Sequence, residues 1–168
     1  MTDAKVLVVM GSDSDFPVME GCFKMLNKFG VGFKATVASA HRTPDKAMSL
    51  ARNAENEGFK VIIAAAGLAA HLGGVLAANT ALPVIGVPCK GGALEGVDAL
   101  YATVQMPTGI PVATVAIDGG SNAAILACQM LALSDAELMQ KIKDYKASLA
   151  SSVEERDARL QQKIAEMN

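Results

Sequence analysis

Ser39, His41 and Arg42 place a hydroxyl, an imidazole and a guanidinium within four residues. A guanidinium beside a hydroxyl offers fixed donors to the oxygens of a phosphate or carboxylate, and an imidazole can take and give a proton near neutral pH. Only two histidines occur in the chain, so His41 has one rival, His71, for that role. A second group stands in Gly11-Ser12-Asp13-Ser14-Asp15-Phe16-Pro17, where Ser12 and Ser14 offer hydroxyls and Asp15 a carboxylate. At a helix start the free N–H groups favour an anion, while Asp15 would repel it but accept from sugar hydroxyls. A third group is Ala66-Gly67-Leu68-Ala69-Ala70-His71-Leu72-Gly73-Gly74, where small residues let a ligand approach the backbone and free N–H groups could bind a carboxylate.

Each group follows an apolar run that reads as a strand. Lys5 to Met10 and Lys60 to Ala65 are unbroken apolar segments after their first residue, as expected of strands buried on both faces of a parallel sheet. Phe33 to Ala38, Leu82 to Val87 and Val112 to Ile117 supply three more. Between them lie helical patterns. Val18, Cys22, Met25, Leu26 and Phe29 share a face and end at Gly30; Ala47, Leu50, Ala51 and Ala54 share another, from Pro44 to about Glu57 and Gly58. Thr43 is placed to cap that second helix, with Pro44 in its first turn. Val97 to Val104 has helical spacing, and Asn122 to Leu133 is almost without charge, which predicts burial on most of its circumference. Ser134-Asp135-Ala136-Glu137 reads as a capping box that starts a last helix with Leu138, Ile142, Tyr145 and Leu149 on one side. Beyond Ser151 charges dominate, and contact with a neighbouring surface is expected up to about Val153.

Strands alternating with helices predict a doubly wound five-stranded parallel sheet in a three-layer α/β/α arrangement, a core of about residues 4–133 with a C-terminal helical extension of about 134–168. In the order 2-1-3-4-5 the crevice lies between the first and third strands, beyond their C-terminal ends, so the first three loops meet there. The lysine- and glycine-bearing segment Lys90 to Gly96 follows the fourth strand and is rich enough in glycine to close over a site. Read one at a time, Ser39 and Thr43 could be simple caps, His41 and Arg42 solvated loop residues, and His71 a packed structural histidine.

Composition narrows the classes. Hydrophobic residues make up 51% of the 168-residue chain and aromatic residues 4%, so the core must be built from small aliphatic side chains, and the apolar excess hints at buried subunit interfaces. No apolar run reaches the roughly 18 residues of a membrane span. A net charge of -2 gives no basic stripe for nucleic acid. Three widely separated cysteines, Cys22, Cys89 and Cys128, form neither a disulfide framework nor a zinc pattern. The N-terminus runs into a strand without a leader pattern, and a cytoplasmic protein is expected.

Taken together, Met10-Gly11-Ser12-Asp13-Ser14-Asp15, Ser39-Ala40-His41-Arg42-Thr43-Pro44, Ala70-His71-Leu72, Pro83-Val84-Ile85-Gly86-Val87-Pro88 and Val104-Gln105-Met106-Pro107-Thr108-Gly109-Ile110-Pro111-Val112 resemble, in order and spacing, the PurE family of purine biosynthesis. The resemblance runs from Val6 to about Leu133. It implies a flavodoxin-like fold, a homo-octamer with sites at subunit junctions, and isomerisation of an N5-carboxylated aminoimidazole ribonucleotide to the C4-carboxylated one without metal, ATP or organic cofactor. By the same resemblance Ser12, Ser14 and Asp15 match the ribose-phosphate loop, Ser39 and Arg42 match phosphate ligands, and His41 matches the proton carrier. Gly67, Ala69, Ala70, His71 and Leu72 match the loop around the base and its carboxylate. The usual loop of this family reads Gly-Gly-Ala-Ala-His-Leu-Pro-Gly; here Leu68 stands for the second glycine and Gly73 for the proline, and Phe16 stands where many members have tryptophan. Two alternatives stand beside this expectation: direct carboxylation of the aminoimidazole ribonucleotide by CO2, and a non-catalytic nucleotide or flavin carrier, for which only Phe16 and Tyr101 offer stacking rings.

Overall fold

In the computed structural model, which describes residues 4–167, five parallel strands form one sheet in the order β2-β1-β3-β4-β5. They are β1 (Ala4–Met10), β2 (Gly32–Val37), β3 (Val61–Gly67), β4 (Val84–Cys89) and β5 (Ala113–Thr114). The fold is the doubly wound α/β arrangement expected from the strand pattern, and it is flavodoxin-like, as the resemblance implies. Met1 to Asp3, where a leader would begin, and Asn168, where the extension was placed to end, lie outside the described residues.

Alternation of side chains along the strands divides the core in two. Val6, Val8, Met10, Val61, Ile63, Ala65, Ile85 and Val87 face α1 (Phe16–Phe29) and α5 (Gly120–Ala132), with Met19, Cys22, Leu26, Ala123, Ala127 and Cys128 filling the gap. Leu7, Val9, Ile62, Ala64 and Val84 face α2 (Pro44–Ala54) and α3 (Leu72–Ala77). The helix α4 (Val97–Val104) packs on β4, β5 and α3. Small residues let these layers close up: a Cβ on Gly120 would lie 2.6 Å from the Val18 carbonyl oxygen, so α1 and α5 approach as near as their backbones allow. As expected from its lack of charge, α5 is buried or half-buried along most of its length.

Several boundaries move for identifiable reasons. The regular part of α2 ends at Ala54, but its last turn runs on through Glu57, whose N–H donates to Asn53 O; Phe59 N–H then donates to the Ala54 carbonyl and Gly58 N–H to that of Glu55, the closing pair of a left-handed cap at φ 94, so Gly58 ends the helix as expected. The strand expected over Val112 to Ile117 keeps only Ala113–Thr114, since Val115 N–H donates to Gly86 O but the next bond runs from Asp118 to Pro88, three residues against two. An unexpected helix, α3, forms despite Gly73 and Gly74 because Leu72, Leu76 and Ala77 bury against the sheet. The last helix, α6 (Ala136–Ala165), is capped by Asp135, whose carboxylate accepts from Leu138 N–H at 2.9 Å. Ser134 does not form the expected capping box; its hydroxyl donates back to Leu131 O. The side chains that α6 buries are Leu138 and Ile142, with Met139 and Tyr145 packed beside them.

Candidate functional site

The loops after β1, β2, β3 and β4 surround a cleft of about 550 Å³ at the C-terminal edge of the sheet. Its wall includes Ser12, Ser14, Asp15, Ser39, His41, Arg42, Gly67, Ala69 and Leu72, so nine of the eleven site residues expected from sequence meet in one place. Register explains this. Met10 pairs with Val37 on one side and Ala65 on the other, and Gly11 N–H continues the ladder to Ala65 O while Ala38 N–H continues it to Met10 O. The three strands therefore end level and release their loops at one height.

The first loop is a single turn of 3-10 helix, Asp13–Asp15, closed by a reciprocal cap. Ser12 Oγ accepts from Ser14 N–H at 3.3 Å, and Asp15 Oδ2 accepts from Ser12 N–H at 3.0 Å. Asp15 is buried, and burial pushes its carboxyl above the ordinary value against the opposing pull of the Ser12 and Gly11 N–H groups. The carboxylate thus shapes the loop from inside it, in addition to any bond it offers a ligand.

The second loop is folded by its own side chains. Thr43 occupies the N-cap of α2, its carbonyl accepting from Ala47 N–H, but its hydroxyl makes no cap bond; the hydroxyl instead accepts from Ser39 N–H at 2.9 Å and donates to Ser39 O at 3.2 Å. Arg42 N–H donates to Ser39 Oγ at 3.2 Å, and the Arg42 guanidinium reaches across to the Gly11 carbonyl at 3.5 Å. These bonds hold Ser39 and Arg42 beside the first loop, with guanidinium N–H groups still open to an anion.

His41 and His71 meet across the cleft rim: His41 Nε2 lies 2.9 Å from His71 Nδ1, with the rings edge to face at 80°. One ring must carry the proton and the other a lone pair, so each imidazole fixes the tautomer of the other. His71 is exposed rather than a packed core histidine. Neither it nor Ala70 lines the cleft, and their backbone N–H groups are already engaged with Ala69 O and Leu68 O, both at 2.8 Å. The free-amide carboxylate site expected there is therefore smaller than the sequence suggested.

Lys90, Gly91 and Gly92 complete the wall from the fourth loop. The sequence marks this segment as a glycine-rich loop without pointing to Lys90; because β4 lies beside β3, its loop necessarily borders the same crevice. Lys90 is paired with Glu95, and this hydrogen bond holds its ammonium above the ordinary value. Beneath the floor, burial pushes the Cys89 thiol up to about 12, so it is protonated at neutral pH. Among the described residues no cluster of three or more His, Cys, Asp or Glu could hold a metal ion.

The family profile described as AIR carboxylase matches residues 5–152. An N5-carboxyaminoimidazole ribonucleotide mutase from Pyrococcus horikoshii is 51% identical over 155 residues, covering 92% of this chain and 88% of the relative. A phosphoribosylaminoimidazole carboxylase from Saccharomyces cerevisiae is 51% identical over 145 residues, 86% of this chain but 25% of that much longer protein. The crystal structure of Treponema denticola PurE superposes with a TM-score of 0.83 at 30% identity, covering 92% of this chain and 97% of the other. With its sheet order, its cleft and its sequence in agreement, the chain belongs to the AIR carboxylase, or PurE, family.

Proposed function

We propose that the protein is an N5-carboxyaminoimidazole ribonucleotide mutase of purine biosynthesis. The observation that carries this reading is the position of His41 on the cleft wall, between an anion-binding lip of Ser12, Ser14, Ser39 and Arg42 and a lip of small residues from Gly67 to Ala69. The ribonucleotide's phosphate takes the hydroxyls and the guanidinium, and Asp15 accepts from the sugar. The base then lies against Gly67 and Ala69. The bond between the exocyclic nitrogen and its carboxylate breaks, releasing CO2 into the cleft while the nitrogen takes a proton. Ring carbon C4 attacks the CO2, and His41 removes the C4 proton, so one proton leaves carbon for every one gained by nitrogen. Confinement supplies much of the rate, because CO2 and C4 never separate into bulk water.

The P. horikoshii mutase has nearly the same length as this chain, whereas the S. cerevisiae carboxylase aligns over a quarter of its own, which favours the mutase over the direct carboxylase. The test is to compare the rate of C4-carboxylated product from the N5-carboxylated ribonucleotide with that from the uncarboxylated one plus bicarbonate. Faster conversion of the first is expected; faster conversion of the second would replace the mutase by the carboxylase. Flavin absorbance in the purified protein would point to a carrier instead.

In this reading the chain is one PurE-like domain, 4–133 with a helical extension over 134–168, working in the cytoplasm as a homo-oligomer of eight subunits. Among the described residues no helix is long and apolar enough to cross a membrane. Exposed apolar side chains support the assembly: Val97, Tyr101 and Val104 on α4, and Leu149, Val153, Leu160 and Ile164 on α6, are all at least 44% exposed. A monomeric mass by light scattering would remove the octamer.

A further inference from the structure

Leu68 stands in a costly place. Its backbone lies at φ 53, the left-handed region that side chains other than glycine seldom adopt, and its apolar side chain is 55% exposed at the edge of the cleft. Across from it runs the segment Lys90–Gly96, anchored at both ends. Lys90 N–H donates to Asp118 Oδ1 at 2.8 Å, and Gly96 is packed so closely that a Cβ there would lie 2.9 Å from Ile117 Cγ2 and 3.1 Å from Lys90 Cα. The Lys90–Glu95 ion pair spans the segment. Its tip has little to rest on. A Cβ on Gly91 would meet nothing within 4 Å, and one on Gly92 would meet a single described neighbour outside the adjoining residues, Leu68 Cδ2 at 2.7 Å.

We propose that Leu68 is a positioning residue: its strained backbone holds the side chain against Gly92, keeping the Lys90–Gly96 strap over the base side of the cleft so that CO2 is retained between its release and its capture. This rests on the mutase reading. Between the two bond changes the transferred group is neutral and apolar, so neither Arg42 nor Lys90 can hold it by charge. Walls must hold it, and they must also keep water out. A glycine at position 68 would adopt the same backbone without strain, but would leave the tip of the strap without its contact. The left-handed leucine is what places an apolar group there.

The experiment compares the wild type, Leu68→Gly and Leu68→Met by amide hydrogen exchange of the ligand-free protein and by product partition. The partition is the ratio of uncarboxylated ribonucleotide released, above the uncatalysed rate, to C4-carboxylated product formed from the N5-carboxylated substrate. Leu68→Gly is expected to speed exchange in residues 91–96 and to raise the ratio, each by about tenfold, the weight of one apolar contact. Its thermal midpoint should not fall, because the strain is relieved, and Leu68→Met should restore most of both effects. Unchanged exchange in Leu68→Gly overturns the proposal, as does faster exchange with an unchanged ratio. If the wild type itself fails to convert the substrate, the mutase reading falls; normal conversion with no response to Leu68→Gly removes the strap contact alone.

Discussion

The two lips of the cleft are built on different principles. The loops after β1 and β2 are fixed by hydrogen bonds: the Ser12–Asp15 cap, the Thr43 clasp on Ser39, and the reach of Arg42 to Gly11. The loops after β3 and β4 have polar bonds at their roots, from Lys90 to Asp118 and Glu95 and from Ala70 to Leu68, but the parts that face the cleft are set by backbone shape and packing, through Leu68 at φ 53, Gly92 at φ 62 and Gly96 at φ 90. An anion needs donors already pointed at it, and a polar loop whose own bonds are satisfied supplies them without reorganising. Neutral CO2 needs a close wall, and small residues with unusual dihedrals supply that. His41 lies where the two meet, and its imidazole is oriented by His71 from the β3 side.

This division predicts different failures. His41→Asn should lower turnover by about 10²- to 10⁴-fold, the usual worth of a positioned acid–base group, while leaving substrate affinity close to normal. Steady-state rates set beside calorimetric binding would show it; near-normal turnover would take His41 out of the chemistry. Arg42→Ala should act on the other side of the division, weakening binding by about 1.5–3 kcal/mol with little change in turnover at saturation. Loss of turnover with unchanged affinity would place Arg42 at the reacting base instead of the phosphate and would erase the distinction between the lips.

What the sequence showed of this arrangement follows from what was local. Buried apolar runs such as Val6 to Met10 and Val61 to Ala65 fix the sheet, and a parallel sheet in that order brings its first three loops together. Ser12, Ser39, His41 and Arg42 were therefore legible as one group. The clasp of Thr43 on Ser39 was hidden because the same residue, before Pro44, fits a helix cap equally well. The His41–His71 contact spans thirty positions and depends on ring directions that spacing does not encode. Lys90 is not legible in the same way, because a crevice between the first and third strands draws on the first three loops alone, although the glycines beside it signal a loop at the rim. The small residues after β3 suggest free N–H groups along the loop, and no spacing shows that local turns use those of Ala70 and His71.

The smallest effect tests how the hydrogen-bonded lip is maintained. Burial raises the Asp15 carboxyl above the ordinary 3.8 in the folded chain. Between 3.8 and the folded value the native state therefore holds more protons than the unfolded one, and stability falls as pH rises through that window. Below it the neutral carboxyl carries no such penalty; above it the buried carboxylate carries the whole of it. Asp15→Asn keeps an acceptor for the Ser12 N–H and cannot ionise. Its stability relative to wild type should be lowest near pH 3, should rise through the window and should then stay level to pH 7, as read from urea unfolding. A relative stability that falls with pH would mean that the Gly11 and Ser12 N–H groups outweigh burial, so that ionised Asp15 stabilises its loop. A rise means that the ionised form is kept at a cost in stability, as a group does when its charge serves the ligand more than the fold.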